Sequence, residues 1–262
     1  MSEQLLISAI KTSIEAGKKI LEIYNSEFSV EIKHDKSPLT EADKASHDLI
    51  TNELSKWGFP ILSEEGKDVS FDIRRNWKFY WLVDPLDGTK EFVKRNGEFT
   101  VNIAFMEGDS PVFGVVYCPV EGNLCAGYNK VVYSMNAGDV ENLDEKTLPS
   151  FSLRNSNDIS SDEIKVVASR SHLSQETEDF IDKLNVNGKK ISMVNAGSAL
   201  KFCLLAEGKA SVYPRFAPTM EWDTAAGHAI LKACGKNIVL YPSNVEMKYN
   251  KPSLVNDWFI AR

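Results

Sequence analysis

The pattern of apolar and polar positions divides the chain into an N-terminal pair of helices, a series of strands, and a second half in which the two alternate. Apolar residues recur at steps of three and four over residues 3–24, which predicts an amphipathic helix. A similar pattern over 42–54 predicts a second helix. Thr40 and Asp43 resemble a capping box that begins it, and residues 37–40 are expected to form a loop.

The pattern in the middle of the chain predicts a series of strands. One is predicted near 60–63 and another at 79–84, where every side chain before Asp84 is apolar or aromatic. Alternating and β-branched runs follow at 99–106, 112–117, 124–128 and 131–134. Such closely spaced runs predict an antiparallel meander.

The second half begins after a polar stretch. Asn, Asp, Ser and Glu dominate residues 136–162, which predicts a boundary between a first half, 1–140, and a second half, 141–262. Strands are then predicted at 164–168, 191–195, 210–213 and 237–241, and helices at 174–184, 198–207 and 224–234. This alternation is typical of an α/β fold.

Composition narrows the class of protein. The chain has 262 residues, of which 43% are hydrophobic and 26% charged, as in ordinary globular proteins. Its net charge of −7 argues against a nucleic-acid polymer as partner, because phosphate backbones require basic surfaces. A few Lys or Arg side chains together with metal ions can still bind a small phosphate ester. Monomer and homodimer both remain open.

The sequence also bears on the cellular location of the protein and on the state of its cysteines. No run approaches the ~20 apolar residues of a membrane span, and the first residues lack the basic start and apolar stretch of a signal peptide. We therefore expect a cytoplasmic protein, with loose attachment to the inner membrane face left open. The four cysteines contain no C-x-x-C pair and are expected to be reduced thiols in the core.

Residues 84–89, Asp-Pro-Leu-Asp-Gly-Thr, carry the strongest chemical signal. Pro85 lacks an N–H group and is expected to end the preceding strand. Two carboxylates then lie at a sheet edge, where a hard cation such as Mg²⁺ would neutralise them and the Leu86 carbonyl would add a ligand. Gly88 permits a left-handed turn. A plain Asp-Gly turn with a helix cap is the alternative.

Two further acidic segments lie at the end of a strand and at the start of a helix, which makes a chance arrangement of acids at residues 84–89 less plausible. Glu64 follows the apolar run that ends at Leu62, and Asp223 begins a helix whose first turn has small side chains. Taken singly, Glu64 has the alternative of lying in a solvated acidic turn, and Asp223 that of capping its helix. Taken together with residues 84–89, four carboxylates and one carbonyl suit two hard cations bridged by a shared Asp.

Competing phosphate chemistries can be compared with the sequence. The chain has no G-x-x-x-x-G-K-[ST] loop, no Cys followed six positions later by Arg, and no H-E-x-x-H. The nearest rival is an aspartyl-phosphate phosphatase with a D-x-D-G-T nucleophile motif. Here the spacing is D-x-x-D-G-T, and the extra residue rotates the first carboxylate away from the place which that mechanism needs.

Three segments together resemble the signatures of the inositol monophosphatase superfamily, namely 63–65, 81–89 and 222–227. A finer resemblance, to the bacterial 3′(2′),5′-bisphosphate nucleotidase branch, lies in segments 90–104, 169–172, 198–203 and 213–216. It is weak over 136–163 and beyond about residue 235. The resemblance implies a layered αβαβα sandwich of the fructose-1,6-bisphosphatase type and an Mg²⁺-dependent, Li⁺-sensitive phosphatase.

The resemblance also implies metal ligands. Glu64, Asp84 and the Leu86 carbonyl would hold one Mg²⁺, and Asp84, Asp87 and Asp223 a second, with Glu64 assisting a third, looser ion. The metals would activate a water and stabilise the leaving oxygen.

Two residues outside the metal set are expected to act on the water. Thr89 would orient it and Asp43 would orient Thr89, although Asp43 has the alternative of capping its helix only. The backbone N–H groups of Gly88 and Thr89 would hold phosphoryl oxygens.

Substrate choice is expected to come from the second half. Ser198 and Lys201, on the first turn of a helix, would bind a remote 5′-phosphate with Arg215 and His172. Alternatively, Lys201 and Arg215 are solvated surface charges and His172 is a helix cap. The full set expected to contact substrate is Glu64, Leu86, Asp87, Gly88, Thr89, His172, Ser198, Lys201, Arg215 and Asp223.

The implied substrate is adenosine 3′,5′-bisphosphate, with its 3′-phosphosulfate relative as a second. An inositol or sugar monophosphatase is the first alternative. A metal- and nucleotide-binding regulatory protein without catalysis is the second.

Overall fold

Five layers follow one another through the molecule in the order helix, sheet, helix, sheet, helix. The computed structural model describes residues 2–32, 38–153, 163–168, 174–184 and 189–262. One core lies between the N-terminal helices and the main sheet, a second between the other face of that sheet and the central helices, and a third beneath the outer helix of the second half. The layered αβαβα prediction is confirmed.

The outer layer of the first half forms where the sequence predicts helices. Helix α1 (Ser2–Tyr24) is followed by a hairpin of strands β1 (Val30–Ile32) and β2 (Pro38–Thr40), and then by helix α2 (Glu41–Ser55). The predicted loop before α2 is therefore wrong for residues 38–40, because backbone pairing with β1 draws them into a strand. The capping box at Thr40 and Asp43 is confirmed.

The main sheet has six strands in the order β3-β4-β5-β6-β7-β8. Its bounds are β3 (Ile61–Ser63), β4 (Phe79–Asp87), β5 (Thr100–Glu107), β6 (Ser110–Cys118), β7 (Asn123–Tyr128) and β8 (Val131–Asn136). Short helices α3 (Phe71–Arg74) and α4 (Thr89–Val93) flank β4. Strands β4 to β8 pair antiparallel with their neighbours, as the meander prediction requires, and β3 runs parallel to β4.

Strand β4 does not end at Pro85. It continues to Asp87, with an irregular register, since Asp84 pairs with Asn102 but Asp87 pairs with Thr100. One extra residue on β4 relieves the ladder at the position where Pro85 has no N–H to donate. The Pro85 carbonyl accepts a hydrogen bond from the Ser46 hydroxyl at 2.7 Å, which fixes the irregular segment to α2.

Two short 3-10 helices follow β8, namely Ala137–Val140, which still belongs to the first half, and Leu148–Phe151, with which the second half begins. Its later elements are β9 (Glu163–Ala168), α5 (Gln175–Leu184), β10 (Lys190–Asn195), α6 (Leu200–Ala206), β11 (Tyr213–Arg215), α7 (Glu221–Ala233), β12 (Ile238–Leu240) and β13 (Phe259–Ala261). The alternation is as predicted, but β11 lies later than predicted and β13 was not predicted. Strands β9 and β10 pair parallel, whereas β13 lies antiparallel between β11 and β12. All four cysteines are free.

Helix α7 lies directly on the main sheet because two glycines make room for its backbone. Gly114 on β6 and Gly127 on β7 are cross-strand neighbours. A Cβ at Gly114 would lie 2.2 Å from the Ala226 carbonyl oxygen, and one at Gly127 would lie 2.4 Å from Cα of Ile230. The close approach fixes the position of α7, whose first turn carries Asp223, over the sheet.

The Gly114→Ala substitution tests this contact. We expect it to destabilise the fold by about 1–3 kcal/mol, because the added methyl group meets helix backbone that cannot rotate away. For a chain of this length that is a fall in melting temperature of roughly 2–12 °C. Gly138→Ala is the matched control, since no atom lies within 4 Å of its Cβ position. Equal melting temperatures for the two variants would contradict the packing argument.

Candidate active site

Four carboxylates converge at one edge of the main sheet. Asp84 and Asp87 lie at the end of β4, and Glu64 follows β3. Because β3 and β4 are parallel, their carboxyl ends meet at the same edge, and the Glu64 N–H donates to the Val83 carbonyl at 3.1 Å. Asp223 reaches this edge from the first turn of α7. The structure therefore brings together the acidic side chains that the sequence predicts as metal ligands.

Burial and mutual repulsion raise the pKa values of three carboxyl groups in this cluster. Asp84 is only 1% exposed. Loss of solvation raises the pKa of Asp84 well above its ordinary value, and repulsion by Glu64, Asp87 and Asp223 adds to the rise. Burial raises the pKa of Asp87 to about 6, against the opposing attraction of Lys201. The pKa of Asp223 is likewise raised by burial and then by repulsion from Asp87.

The donor set fits a hard divalent cation. Carboxylates with raised pKa values are the groups whose charged form a cation would favour most. Leu86 contributes a carbonyl at the same strand end, and its N–H donates to Asp84 Oδ1 at 3.1 Å. Within the described residues, no three His, Cys, Asp or Glu side chains already form a compact metal-binding group. The carboxylates thus converge on one region without closing into a complete coordination shell.

Asp43 uses its two carboxylate oxygens for two different purposes. Oδ2 accepts from the Thr40 N–H at 2.7 Å and from the Thr40 hydroxyl at 2.6 Å, which caps α2. Oδ1 accepts from the Thr89 hydroxyl at 3.2 Å. The two interpretations of Asp43 are therefore compatible, because the helix cap fixes the carboxylate that orients Thr89.

The turn at Gly88 connects the acidic cluster to the second half. Gly88 has φ 94°, in the left-handed region, as predicted. A Cβ there would lie 2.1 Å from the Ser198 hydroxyl oxygen. That hydroxyl lies 2.9 Å from the Asp87 carbonyl and 2.8 Å from the Glu98 carbonyl. Ser198 precedes α6, which begins at Leu200, so its predicted place on the first helical turn is wrong.

A cavity of about 450 Å³ opens beside the cluster. It is bounded by α4, the segment before α6, β11 and the start of α7, and the site residues on its wall are Asp87, Gly88, Ser198, Lys201, Arg215 and Asp223. Lys201 is only 5% exposed and its ammonium donates to the Ser198 carbonyl at 3.0 Å. A solvated surface charge is therefore the wrong interpretation of Lys201.

Arg215 lies half-buried at the same cavity. Its Nη2 lies 3.4 Å from the Pro218 carbonyl, and its Nε is buried without a hydrogen-bond partner among the described residues. His172 lies outside the described residues, so its predicted contact stays a prediction.

Two cavity lysines were missed by the sequence reasoning. Lys90 lies on α4 and Lys94 is the residue that caps its C-terminus, one turn further on, and both line the cavity. Their spacing of four residues is a usable signal, because side chains at i and i+4 share a helix face. Asn102 was also missed. Its amide lies 3.4 Å from Asp87 Oδ2, and this bond favours the charged form of that carboxylate.

Comparison with known proteins places this chain within one class of enzymes. Residues 1–257 match the family described as "Inositol monophosphatase family", and the chain belongs to that family. This is a family of metal-dependent phosphatases. None of the described helices has the length and apolarity needed to cross a membrane.

Particular relatives narrow the comparison. The chain is 43% identical over 227 residues to the 3′(2′),5′-bisphosphate nucleotidase CysQ of Salmonella typhimurium, covering 85% of each. It is 40% identical over 256 residues to CysQ of Buchnera aphidicola, covering 94% of this chain and 89% of the relative. The crystal structure of CysQ from Bacteroides thetaiotaomicron superposes with a TM-score of 0.88 and 45% identity, covering 99% and 97% of the two chains.

Magnesium is expected to stabilise the protein more at higher pH. The raised pKa values mean that the metal-free folded cluster keeps protons which the unfolded chain releases near pH 4. Its stability contribution is therefore present at low pH and lost as pH rises through the folded pKa of about 6 at Asp87. A divalent cation requires deprotonated carboxylates, so its effect has the opposite trend.

Calorimetry with EDTA or with Mg²⁺, at pH values about one unit below and above 6, measures this difference. The gain in melting temperature from Mg²⁺ should be larger at the higher pH. In Asp84→Asn the Mg²⁺ gain should be small at both pH values. An equal gain at both pH values in the unsubstituted protein would contradict the prediction.

Proposed function

We propose that this protein hydrolyses the 3′-phosphate of adenosine 3′,5′-bisphosphate to give AMP, and that it also accepts the 3′-phosphosulfate relative. The observation that carries the proposal is the cavity, which shares Asp87 and Asp223 with the acidic cluster and is also lined by cationic side chains. These are Lys90, Lys94, Lys201 and Arg215. A substrate with one phosphate to lose and a second to retain matches this pairing. The names of the relatives support the same substrate class.

The metal site is proposed to hold two or three Mg²⁺ ions through Glu64, Asp84, the Leu86 carbonyl, Asp87 and Asp223. When bound, such ions lower the pKa of a water molecule and offset negative charge on the phosphoryl group.

The chain's own residues then orient the reactants. The Thr89 hydroxyl donates a hydrogen bond to Asp43, so the lone pairs of its oxygen are available to accept a hydrogen bond from the attacking water. Attack would be in line on phosphorus. The left-handed turn at Gly88 presents the backbone N–H groups of Gly88 and Thr89, which we propose hold phosphoryl oxygens.

The retained 5′-phosphate is assigned to the basic wall. Arg215 and Lys201 are the principal candidates. Both line the cavity, the Arg215 Nε is buried with no hydrogen-bond partner in the described part of the chain, and the Lys201 side chain is only 5% exposed. His172 is kept in the proposal on the sequence resemblance alone. Ser198 stays a proposed contact, although its hydroxyl already lies within hydrogen-bond distance of two backbone carbonyls.

A substrate panel tests the proposed function. With Mg²⁺ present, phosphate release from adenosine 3′,5′-bisphosphate should exceed release from inositol 1-phosphate by at least about 100-fold in kcat/KM, since the retained phosphate adds charge-assisted hydrogen bonds. Li⁺ should inhibit the reaction. Preference for inositol 1-phosphate would favour a monophosphatase, and no turnover with either ester, despite Mg²⁺ binding, would favour a non-catalytic regulatory protein.

The Arg215→Ala variant tests where the retained phosphate binds. Loss of a charge-assisted contact should raise KM for adenosine 3′,5′-bisphosphate by about 10- to 100-fold. KM for adenosine 3′-monophosphate, which lacks the 5′-phosphate, should change little. Lys248→Ala is the control, since the Lys248 ammonium forms an exposed ion pair with Asp109 and a surface contact with Ser110. An equal effect of Arg215→Ala on both substrates would place the 5′-phosphate elsewhere.

A further inference from the structure

The start of α7 is held by a segment far along the chain. Asp223 lies in the first turn of α7, and its Oδ2 accepts from the Met220 N–H at 2.8 Å. This bond attaches the carboxylate to the cap that begins its own helix. The placement of Asp223 therefore depends on where the backbone of Met220 lies.

Asn256 fixes that backbone. Its side-chain amide donates to the Met220 carbonyl at 2.7 Å and lies 3.2 Å from the Thr219 hydroxyl and 3.1 Å from the Thr224 hydroxyl. Its own N–H donates to the Thr219 carbonyl at 2.8 Å. Thr219 and Thr224 both line the cavity beside Asp223. One buried side chain, 5% exposed, thus binds both flanks of the residue that carries the metal ligand.

A partly buried ion pair between Glu221 and Lys251 supports Asn256. Glu221 is 0% exposed and accepts from the N–H groups of Asn250 and Lys251 at 2.7 and 3.0 Å. The Lys251 ammonium lies 2.7 Å from Glu221 Oε1 and 3.3 Å from Asn256 Oδ1. A backbone bridge between Met220 and Val255 completes the attachment. The segment 250–256 and the start of α7 are therefore joined by main-chain and side-chain bonds together.

We propose that Asn256 is a positioning residue for the divalent-cation site, acting through the Met220 backbone on the Asp223 carboxylate. The inference rests on the proposed metal site, but it does not depend on which phosphate ester is hydrolysed. Among the described residues, the hydrogen bonds of Asn256 go to Thr219, Met220, Thr224 and Lys251 and not to the carboxylate cluster, so its effect is to set the orientation of one ligand. Partners of this kind, one step behind the ligands, typically change metal affinity by 10- to 100-fold.

The experiment measures Mn²⁺ binding directly, from the electron paramagnetic resonance signal of the free ion, in parallel with melting temperature. Asn256→Ala should weaken Mn²⁺ binding by about tenfold or more. It should raise the Mg²⁺ concentration that gives half-maximal activity, and excess Mg²⁺ should restore much of kcat. Unchanged Mn²⁺ binding, with only a lower melting temperature, would overturn the proposal.

Asn237→Ala is the matched control. The Asn237 side chain accepts from His228 Nε2 at 2.6 Å and so supports the same helix α7 beyond its first turns. Its loss should lower the melting temperature without changing Mn²⁺ affinity. Equal weakening of Mn²⁺ binding in both variants would mean that helix stability, rather than positioning by Asn256, sets the affinity, and would overturn the proposal.

Asn256→Asp keeps the shape and removes the donor. The new carboxylate can still meet Lys251, so this variant serves where Asn256→Ala does not fold. Added negative charge near the site would by itself favour cation binding. Weaker Mn²⁺ binding would therefore support the lost donor to Met220 as the cause, whereas equal or stronger binding would overturn the proposal. Because Mn²⁺ binding needs no substrate, failure here is distinguishable from failure of the proposed nucleotidase activity.

Discussion

Repulsion between carboxylates at the end of β4 is the constraint on which the rest of this structure depends. Asp84 is almost fully buried and shares its surroundings with Glu64, Asp87 and Asp223. Like charges gathered in this way oppose folding unless protons or a cation neutralise them. The fold must therefore force them together with stronger interactions, and it does so from both sides. The irregular end of β4 is bonded to α2 through Ser46, and α7 is seated on the glycines of β6 and β7.

The same constraint applies to Glu221, a buried acid that lies close to the cluster in sequence. Glu221 is two positions from Asp223 and completely buried, yet Asp87 and Glu64 are the acids that raise the pKa of Asp223 most. The Lys251 ammonium and two backbone N–H groups pair with Glu221. These three groups satisfy the hydrogen-bonding capacity of the buried Glu221 carboxylate. This pairing thus distinguishes Glu221 from the four acids of the cluster, which repel one another.

Local chemistry was predictable from the sequence and distant chemistry was not. The spacing of residues 84–89 and the capping box at Thr40 depend on neighbours within a few positions, so the pattern alone indicated both. The sequence did not distinguish a phosphate-binding Lys201 from a surface charge, because the burial of Lys201 depends on Tyr213 and other residues of distant elements. Strand β13 has three residues and no periodicity to detect. Its pairing with β11 and β12 exists only once the chain has folded.

The connection between the acidic cluster and the cavity follows from one close contact. Ser198 adopts φ 47°, which is uncommon for a residue with a Cβ, and its hydroxyl lies between the Asp87 and Glu98 carbonyls. Only a glycine at position 88 leaves room for that hydroxyl. Lys201 binds the Ser198 carbonyl, so a basic group of the cavity and the Asp87 end of β4 are joined through a single residue. The distance between the acidic cluster and the basic cavity wall is thus set by the fold itself, which suits the proposed ester, whose two phosphates are held at a fixed separation.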